Sequence, residues 1–244
     1  MKGPPGPRKF ATTHWSLVDR AKSDEASQTS ARKALEELCR MYWFPLYAFV
    51  RGRGYSAIDA QDLTQSFFAR IIETGGFESA DRERGRFRSY LLGAMKHFLA
   101  NEWHRAKTQK RGGGVRFIEW DALDSEGRYA GASKQWDNPE HFFDREWALE
   151  TVARALQVLR DEMAKAGKSD RFDVLKGSLT GEDELPREEI AVRLDMSEGA
   201  VKVAVHRLRQ RYRTLLRAAV AETVGNEADL NDEMRYLVAV LRRL

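Results

Sequence analysis

Residues 187–209 read Arg187-Glu-Glu-Ile-Ala-Val-Arg-Leu-Asp-Met-Ser-Glu-Gly-Ala-Val-Lys-Val-Ala-Val-His-Arg-Leu-Arg209, and the pattern predicts two helices joined by a tight turn. Ile190 and Leu194 supply a core face for the first helix, and Ala191 is small enough for a close helix crossing. Ser197 is placed to cap the second helix by accepting from its unpaired amides. In that helix Val201, Val205, Leu208, Tyr212 and Leu215 recur every three or four residues, so one stripe packs inward. The other faces are forced outward. Glu198, Gly199, Lys202, Val203, His206 and Arg207 then form the N-terminal outer surface, with Arg209, Arg211 and Arg213 further along. A recognition helix meets base edges with that surface, and arginines behind it suit phosphates. An ordinary helical hairpin with a basic face is the plainer reading of the same residues.

Helical patterning continues upstream. Pro186 opens the first helix of the pair; Phe142, Trp147, Leu149, Val152, Leu156 and Leu159 predict another, and residues 172–175 part of a further one. Residues 115–139 show no sustained period and hold Gly127, Gly131, Pro139 and scattered acids, which suits an extended linker. Before it, residues 87–110 read as a long helix with Tyr90, Leu91, Ala94, Met95, Phe98 and Leu99 inward, stopped by the glycines at 112–114. Residues 59–72 read as a helix on Leu63, Phe67 and Ile71, with Asp59, Asp62, Gln65 and Arg70 off the stripe. Across residues 31–50, Leu35, Leu38, Tyr42, Leu46 and Phe49 keep helical spacing, while Pro45 predicts a kink or break. Thr12 and Thr13 are candidate caps of the first ordered helix, after a Gly/Pro-rich leader at 1–11 expected to be disordered. Beyond residue 220, Leu230, Met234, Leu237, Val238 and Leu241 form an amphipathic stripe that needs a partner, either the second helical module, on which it is expected to fold back, or another protein. No β alternation and no internal repeat is evident. The expected class is all-α, with two small helical domains at 12–111 and 140–220, a flexible acidic linker at 112–139 and an extension at 221–244.

Charge is segregated along this frame. Between residues 82 and 111 nine Lys/Arg stand against Glu83 and Glu102, a net of +7. Residues 202–217 add six cations and no acid. Between these blocks, residues 119–146 carry eight acids against Arg128, Lys134 and Arg145, a net of −5. Solvated helix faces usually mix signs, so the basic blocks favour contact with a polyanion, where neutralised phosphates release counterions.

The whole-chain average of 41 Lys/Arg against 37 Asp/Glu hides this pattern. A single cysteine, Cys39, excludes an internal disulfide and a multi-cysteine zinc site. No apolar run reaches the ~18–20 residues of a membrane span and the leader lacks an apolar stretch, so a cytoplasmic location is expected. His14, His97, His104, His141 and His206 are scattered. His97, Asn101 and His104 share a helix face, but inside a basic block with Glu102 as the one nearby carboxylate, which argues against a metal. No HExxH, Walker A, GxSxG or dinucleotide-binding glycine pattern occurs, and neither catalysis by this chain alone nor a cofactor is expected.

With both halves read, residues 12–220 resemble bacterial RNA polymerase sigma factors of the sigma-70 family, in their small two-domain extracytoplasmic-function (ECF) form. Asp59-Ala-Gln-Asp-Leu-Thr-Gln-Ser-Phe-Phe is similar to region 2.2, and residues 87–111, beginning Phe-Arg-Ser-Tyr-Leu-Leu, are similar to regions 2.3 and 2.4. Asn138-Pro-Glu opens the second module, and Ser197-Glu-Gly-Ala-Val-Lys-Val-Ala-Val-His-Arg is similar to region 4.2. Thr13-His-Trp-Ser-Leu-Val and Glu83-Arg-Gly-Arg-Phe-Arg-Ser add a likeness to a planctomycete-like subgroup.

The resemblance implies a region 2-like bundle, a region 4-like helix-turn-helix, and core RNA polymerase and promoter DNA as partners, with room for an anti-sigma or other regulatory partner. It assigns Asp59, Asp62 and Gln65 to docking on the clamp helices of the polymerase's largest subunit; Ser66 stands where the family usually has Glu. It assigns Arg86, Phe87, Arg88, Lys96, His97, Asn101, Arg105 and Lys107 to minus-10 recognition and strand opening, although plain core packing is the other reading of Phe87 and of Tyr90. Leu91 and Leu92 occupy the place of the Trp pair of primary sigma factors, which implies dependence on a stricter promoter. Ser197, Glu198, Gly199, Lys202, Val203, His206 and Arg207 fall at the minus-35-reading end of region 4.2. The linker would thread toward the polymerase's active-centre and RNA-exit channels. A free-standing helix-turn-helix transcriptional regulator is the alternative reading.

Overall fold

Residues 42–50 are buried without a break, which makes the C-terminal half of the first described helix the hub around which its neighbours pack. The computed structural model describes residues 28–73, 86–108, 126–129, 138–181, 185–224 and 226–243. The leader, the Thr12 and Thr13 caps, the basic positions 82, 84, 110 and 111, the glycines at 112–114 and most of the acidic linker lie outside the described residues. In chain order the helices are α1 (Gln28–Gly52), α2 (Ala57–Glu73), α3 (Phe87–Thr108), α4 (Pro139–Lys165), α5 (Ser169–Leu175), α6 (Gly177–Thr180), α7 (Arg187–Arg193), α8 (Glu198–Ala221) and α9 (Glu227–Leu241). Residues 126–129 add a single helical turn, and there is no strand among the described residues.

Helix α1 runs through Pro45 without a break. A proline inside a helix costs about 3 kcal/mol, whereas each fully buried large apolar side chain contributes about 1.5–3 kcal/mol. Tyr42, Trp43, Phe44, Leu46, Tyr47, Phe49 and Val50 are all buried, so packing outweighs the lost backbone bond.

The chain divides into two compact units, Met1–Glu150 with Ala221–Leu244, and Thr151–Val220, with the boundaries inside α4 and α8. In the first unit Tyr42 meets Phe87 edge-on at 5.3 Å, Trp43 stacks on Phe68 at 6.0 Å, and Phe67 meets Phe98 edge-on at 5.7 Å. These pairs tie α1, α2 and α3 together. Helix α2 buries Ala60, Thr64, Phe67, Phe68 and Ile71, a stripe rotated slightly from the expected one because Leu63 is half-buried. Gly52 ends α1 where α4 begins: a Cβ there would lie 2.8 Å from a Phe142 ring carbon and 3.1 Å from the Cα of Pro139.

Helix α9 also belongs to this first unit, not to the second module on which it was expected to fold back. It buries Leu230, Glu233, Leu237 and Val240, leaves Val238 exposed, and follows a segment in which the Thr223 carbonyl accepts from the Phe87 amide at 3.1 Å. The reason is the carboxylate in the stripe: Glu233 is fully buried, and the cation it needs stands on α3.

The second unit has its own core of Ala155, Leu159, Phe172, Leu175, Ile190, Val201, Ala204, Leu208 and Leu215, with Ala191, Leu194, Val205 and Tyr212 half-buried against it. The turn between α7 and α8 is closed by the Asp195 amide donating to Val192 and the Met196 amide donating to Ala191, with Asp195 at a left-handed φ of 49°. This is the Schellman arrangement, with Asp where Gly usually stands. Ser197 then caps α8, its Oγ accepting from the Ala200 amide at 3.3 Å.

Candidate nucleic-acid interface

Opposite its buried stripe, α8 presents Gly199, Val203 and Gln210, flanked by Lys202 and His206 on one side and Arg207 on the other; all six are exposed. Glu198, also exposed, sits in the first turn, where a negative charge complements the helix dipole. Of the set expected at this end, Gly199, Lys202, Val203, His206 and Arg207 are brought together on one solvent-facing surface by a helix whose other side is anchored in the core, while Ser197 and Glu198 are exposed at its start.

The arginines behind it divide. Arg209 donates from both Nε and Nη2 to the Ser178 carbonyl, at 3.0 and 2.9 Å, and so joins α8 to α6. Arg211 forks onto Glu162 of α4, with Nε to Oε2 at 2.8 Å, and this hydrogen-bonded pairing holds the Glu162 carboxyl below its ordinary range. Both had been expected to extend toward phosphates. They lie at the margins of the buried stripe, within reach of neighbouring helices, and are engaged inside the unit. Arg213 is exposed.

The candidate minus-10 residues fare differently. Phe87 is fully buried against Tyr42 and Tyr90. Arg88 is 6% exposed: its Nε and Nη2 donate to Glu233 and its Nη1 donates to Asp144 at 2.7 Å, while its guanidinium lies over the rings of Trp147 and Tyr236. Tyr236 completes the cluster by donating its hydroxyl to Asp144 at 2.6 Å. Burial pushes the Asp144 carboxyl up against the opposing pull of the Tyr236 bond and Arg88, and the Tyr236 hydroxyl is pushed up to about 12 by burial and by its bond to Asp144. Burial also works against the charge on Arg88, but its carboxylate partners outweigh it and the guanidinium is held above its ordinary value. Arg86, half-buried, reaches Glu233 through Nε at 3.0 Å.

The expectation that Phe87 and Arg88 face nucleic acid is therefore corrected in this arrangement: one is core and the other is an interior ion-pair centre. Lys96 pairs with Glu140 at 2.5 Å at a half-exposed site, while His97 and Asn101 are exposed. Arg105 and Lys107 lie on the last turns of α3, beyond the described side chains.

On α2, Asp59 and Asp62 are exposed and Gln65 is half-buried. Ser56 caps this helix, its Oγ accepting from the Asp59 amide at 3.1 Å and donating to the Asp59 carboxylate at 2.7 Å. Beside them Ile58 is 74% exposed, a large apolar side chain that the sequence reading did not single out.

The acidic stretch is partly neutralised within the first unit. Glu126 receives Arg51 at 2.7 Å and the Tyr47 hydroxyl at 2.6 Å, while Arg128 reaches Glu146 at 3.3 Å and Glu150 at 2.8 Å and lies over the Phe44 ring. With Glu140 on Lys96 and Asp144 on Arg88, each described acid of residues 119–146 has a cationic partner. The burial of Arg88 had one usable sign in the sequence spacing: Glu233 falls on the same helical register as Leu230 and Leu237, and a carboxylate there calls for a buried cation.

Among the described residues no group of three or more His, Cys, Asp and Glu is placed to hold a metal ion, and no helix is long and apolar enough to cross a membrane. Compared with protein-family models, with curated proteins and with solved structures, the chain has no significant match in any of the three.

Proposed function

We propose that this chain is an ECF-type sigma factor, a non-catalytic subunit that binds core RNA polymerase in the cytoplasm and directs it to promoters. The observation that carries the reading is the outward surface of α8, where Gly199, Lys202, Val203, His206 and Arg207 are exposed together on a helix capped by Ser197 and anchored in its own core. Such a helix fits the major groove at the minus-35 element, with Lys202 and Arg207 as donors to guanine O6 and N7; each good contact of that kind is worth about 1–3 kcal/mol of discrimination. Asp59, Asp62 and Gln65 on α2 then serve as the polymerase-docking surface, with the exposed Ile58 beside them adding apolar contact. On α3 the solvent-facing His97 and Asn101 are the members of the minus-10 set best placed to meet DNA, with Arg86 and Lys96 bearing partial exposure. Phe87 and Arg88 support that helix from inside.

The test is reconstitution. Purified protein added to bacterial core polymerase is expected to yield core-dependent run-off transcripts from members of a broad promoter library. Tight duplex binding without polymerase, together with no core-dependent transcript, would instead make the chain a free-standing helix-turn-helix regulator.

A further inference from the structure

The outward pole of α8 carries two residues that neither the helix nor the core calls for. Gly199 stands in the first turn without a left-handed backbone, and a Cβ built on it meets nothing within 4 Å. Glycine is the weakest helix former after proline, so neither local conformation nor packing explains it. Val203, one turn on, is 48% exposed among Lys202, His206 and Arg207 and lies outside the unit's hydrophobic cluster. Its β-branch fixes χ1, so its methyls are held in one direction instead of folding back onto the helix. Both identities make sense if a ligand comes close to the helix backbone at Gly199 and offers an apolar group to Val203. Base edges in the major groove present one such group, the C5 methyl of thymine, amid the acceptors and phosphates that suit the flanking cations.

We infer that Val203 reads the C5 methyl of a thymine in duplex DNA, with Gly199 providing the clearance that lets the helix approach. The inference rests on the DNA-binding reading above and adds the base that this surface selects. It explains why an aliphatic residue occupies the centre of a cationic face, where a lysine or glutamine would serve solvation and helix stability better.

The full chain, bound to core polymerase, is used to select from duplexes of randomised sequence, and a recovered duplex is remade with each thymine in turn replaced by uracil. That exchange deletes one methyl and keeps every polar group of the base pair. One uracil substitution is expected to weaken binding about fourfold, as befits the loss of a single buried methyl, and to have no effect on Val203→Ala. Gly199→Ala is expected to weaken binding of the thymine duplex with helix content retained, and unchanged affinity would remove glycine's part. Indifference of the native chain to every uracil, or a uracil effect that persists in Val203→Ala, would overturn the thymine assignment while leaving DNA binding in place. Recovery of no duplex above background would overturn both readings.

Discussion

Arg88 and Gly52 show how single residues are held by surroundings far away in the chain. A guanidinium taken out of water needs its charge and donors answered, and removing one carboxylate from such a cluster is more damaging than replacing the whole cluster by apolar groups. Glu233, Asp144 and Tyr236 answer Arg88 from two other helices, with the Trp147 ring beneath it. Gly52 is needed for space: an added methyl falls 2.8 Å from Phe142, whose ring can turn, but also 3.1 Å from the Pro139 Cα, which moves only if α4 moves. Gly52→Ala is therefore expected to destabilise the protein by about 1–3 kcal/mol, seen as a lower thermal midpoint. An unchanged midpoint would mean that α1 and α4 part more easily than this contact implies.

Helix ends and short turns behave as units. The α7–α8 turn places an aspartate in a left-handed position and compensates it with two backbone bonds and the Ser197 cap, so the orientation of the exposed α8 surface is set by local chemistry. The turn at 126–129 depends instead on a remote clamp. The hydrogen-bonded Arg51 guanidinium, with the Tyr47 hydroxyl, holds the Glu126 carboxyl below the 4.5 of an ordinary glutamate. A carboxyl lowered in the folded state stabilises fully above its unfolded value, and this contribution is lost as pH falls through the folded one. Acidification below 4.5 is thus expected to speed amide hydrogen exchange at 126–129, after correction for the intrinsic rate, and Glu126→Gln should abolish that dependence. Exchange that is flat with pH in the native chain would show that other contacts hold the turn.

At the scale of the whole molecule, the proposed duties fall on different units. Asp62 lies in the first and Lys202 and Arg207 lie in the second, and changes at sites with no shared partners should act independently. Lys202→Glu with Arg207→Glu is expected to abolish promoter-directed transcription while leaving affinity for core polymerase intact. Asp62→Arg is expected to lower that affinity, and equal loss of both properties in either variant would contradict the division. Much of this architecture is legible along the chain: the stripes of α2, α3 and α8, the presence of a tight turn before α8 and the Ser197 cap involve residues within about a helical turn or two of one another. Residues 187–209 are the clearest case, since one apolar stripe dictates which side chains are left outside. The continuity of α1 through Pro45 was only half legible, because a proline there allows a kink or a break and the burial of its neighbours decides between them. The fate of the cations was not legible: Arg88 reaches Glu233 across 145 residues and Asp144 across 56, while Arg51 reaches Glu126 across 75. Periodicity and capping act over a few residues and so can be read from order alone, whereas desolvating a charge is decided by whichever distant helix arrives beside it. That is why the outward surface of α8 could be read from the chain, and why the burial of Arg88 had to be learned from the fold.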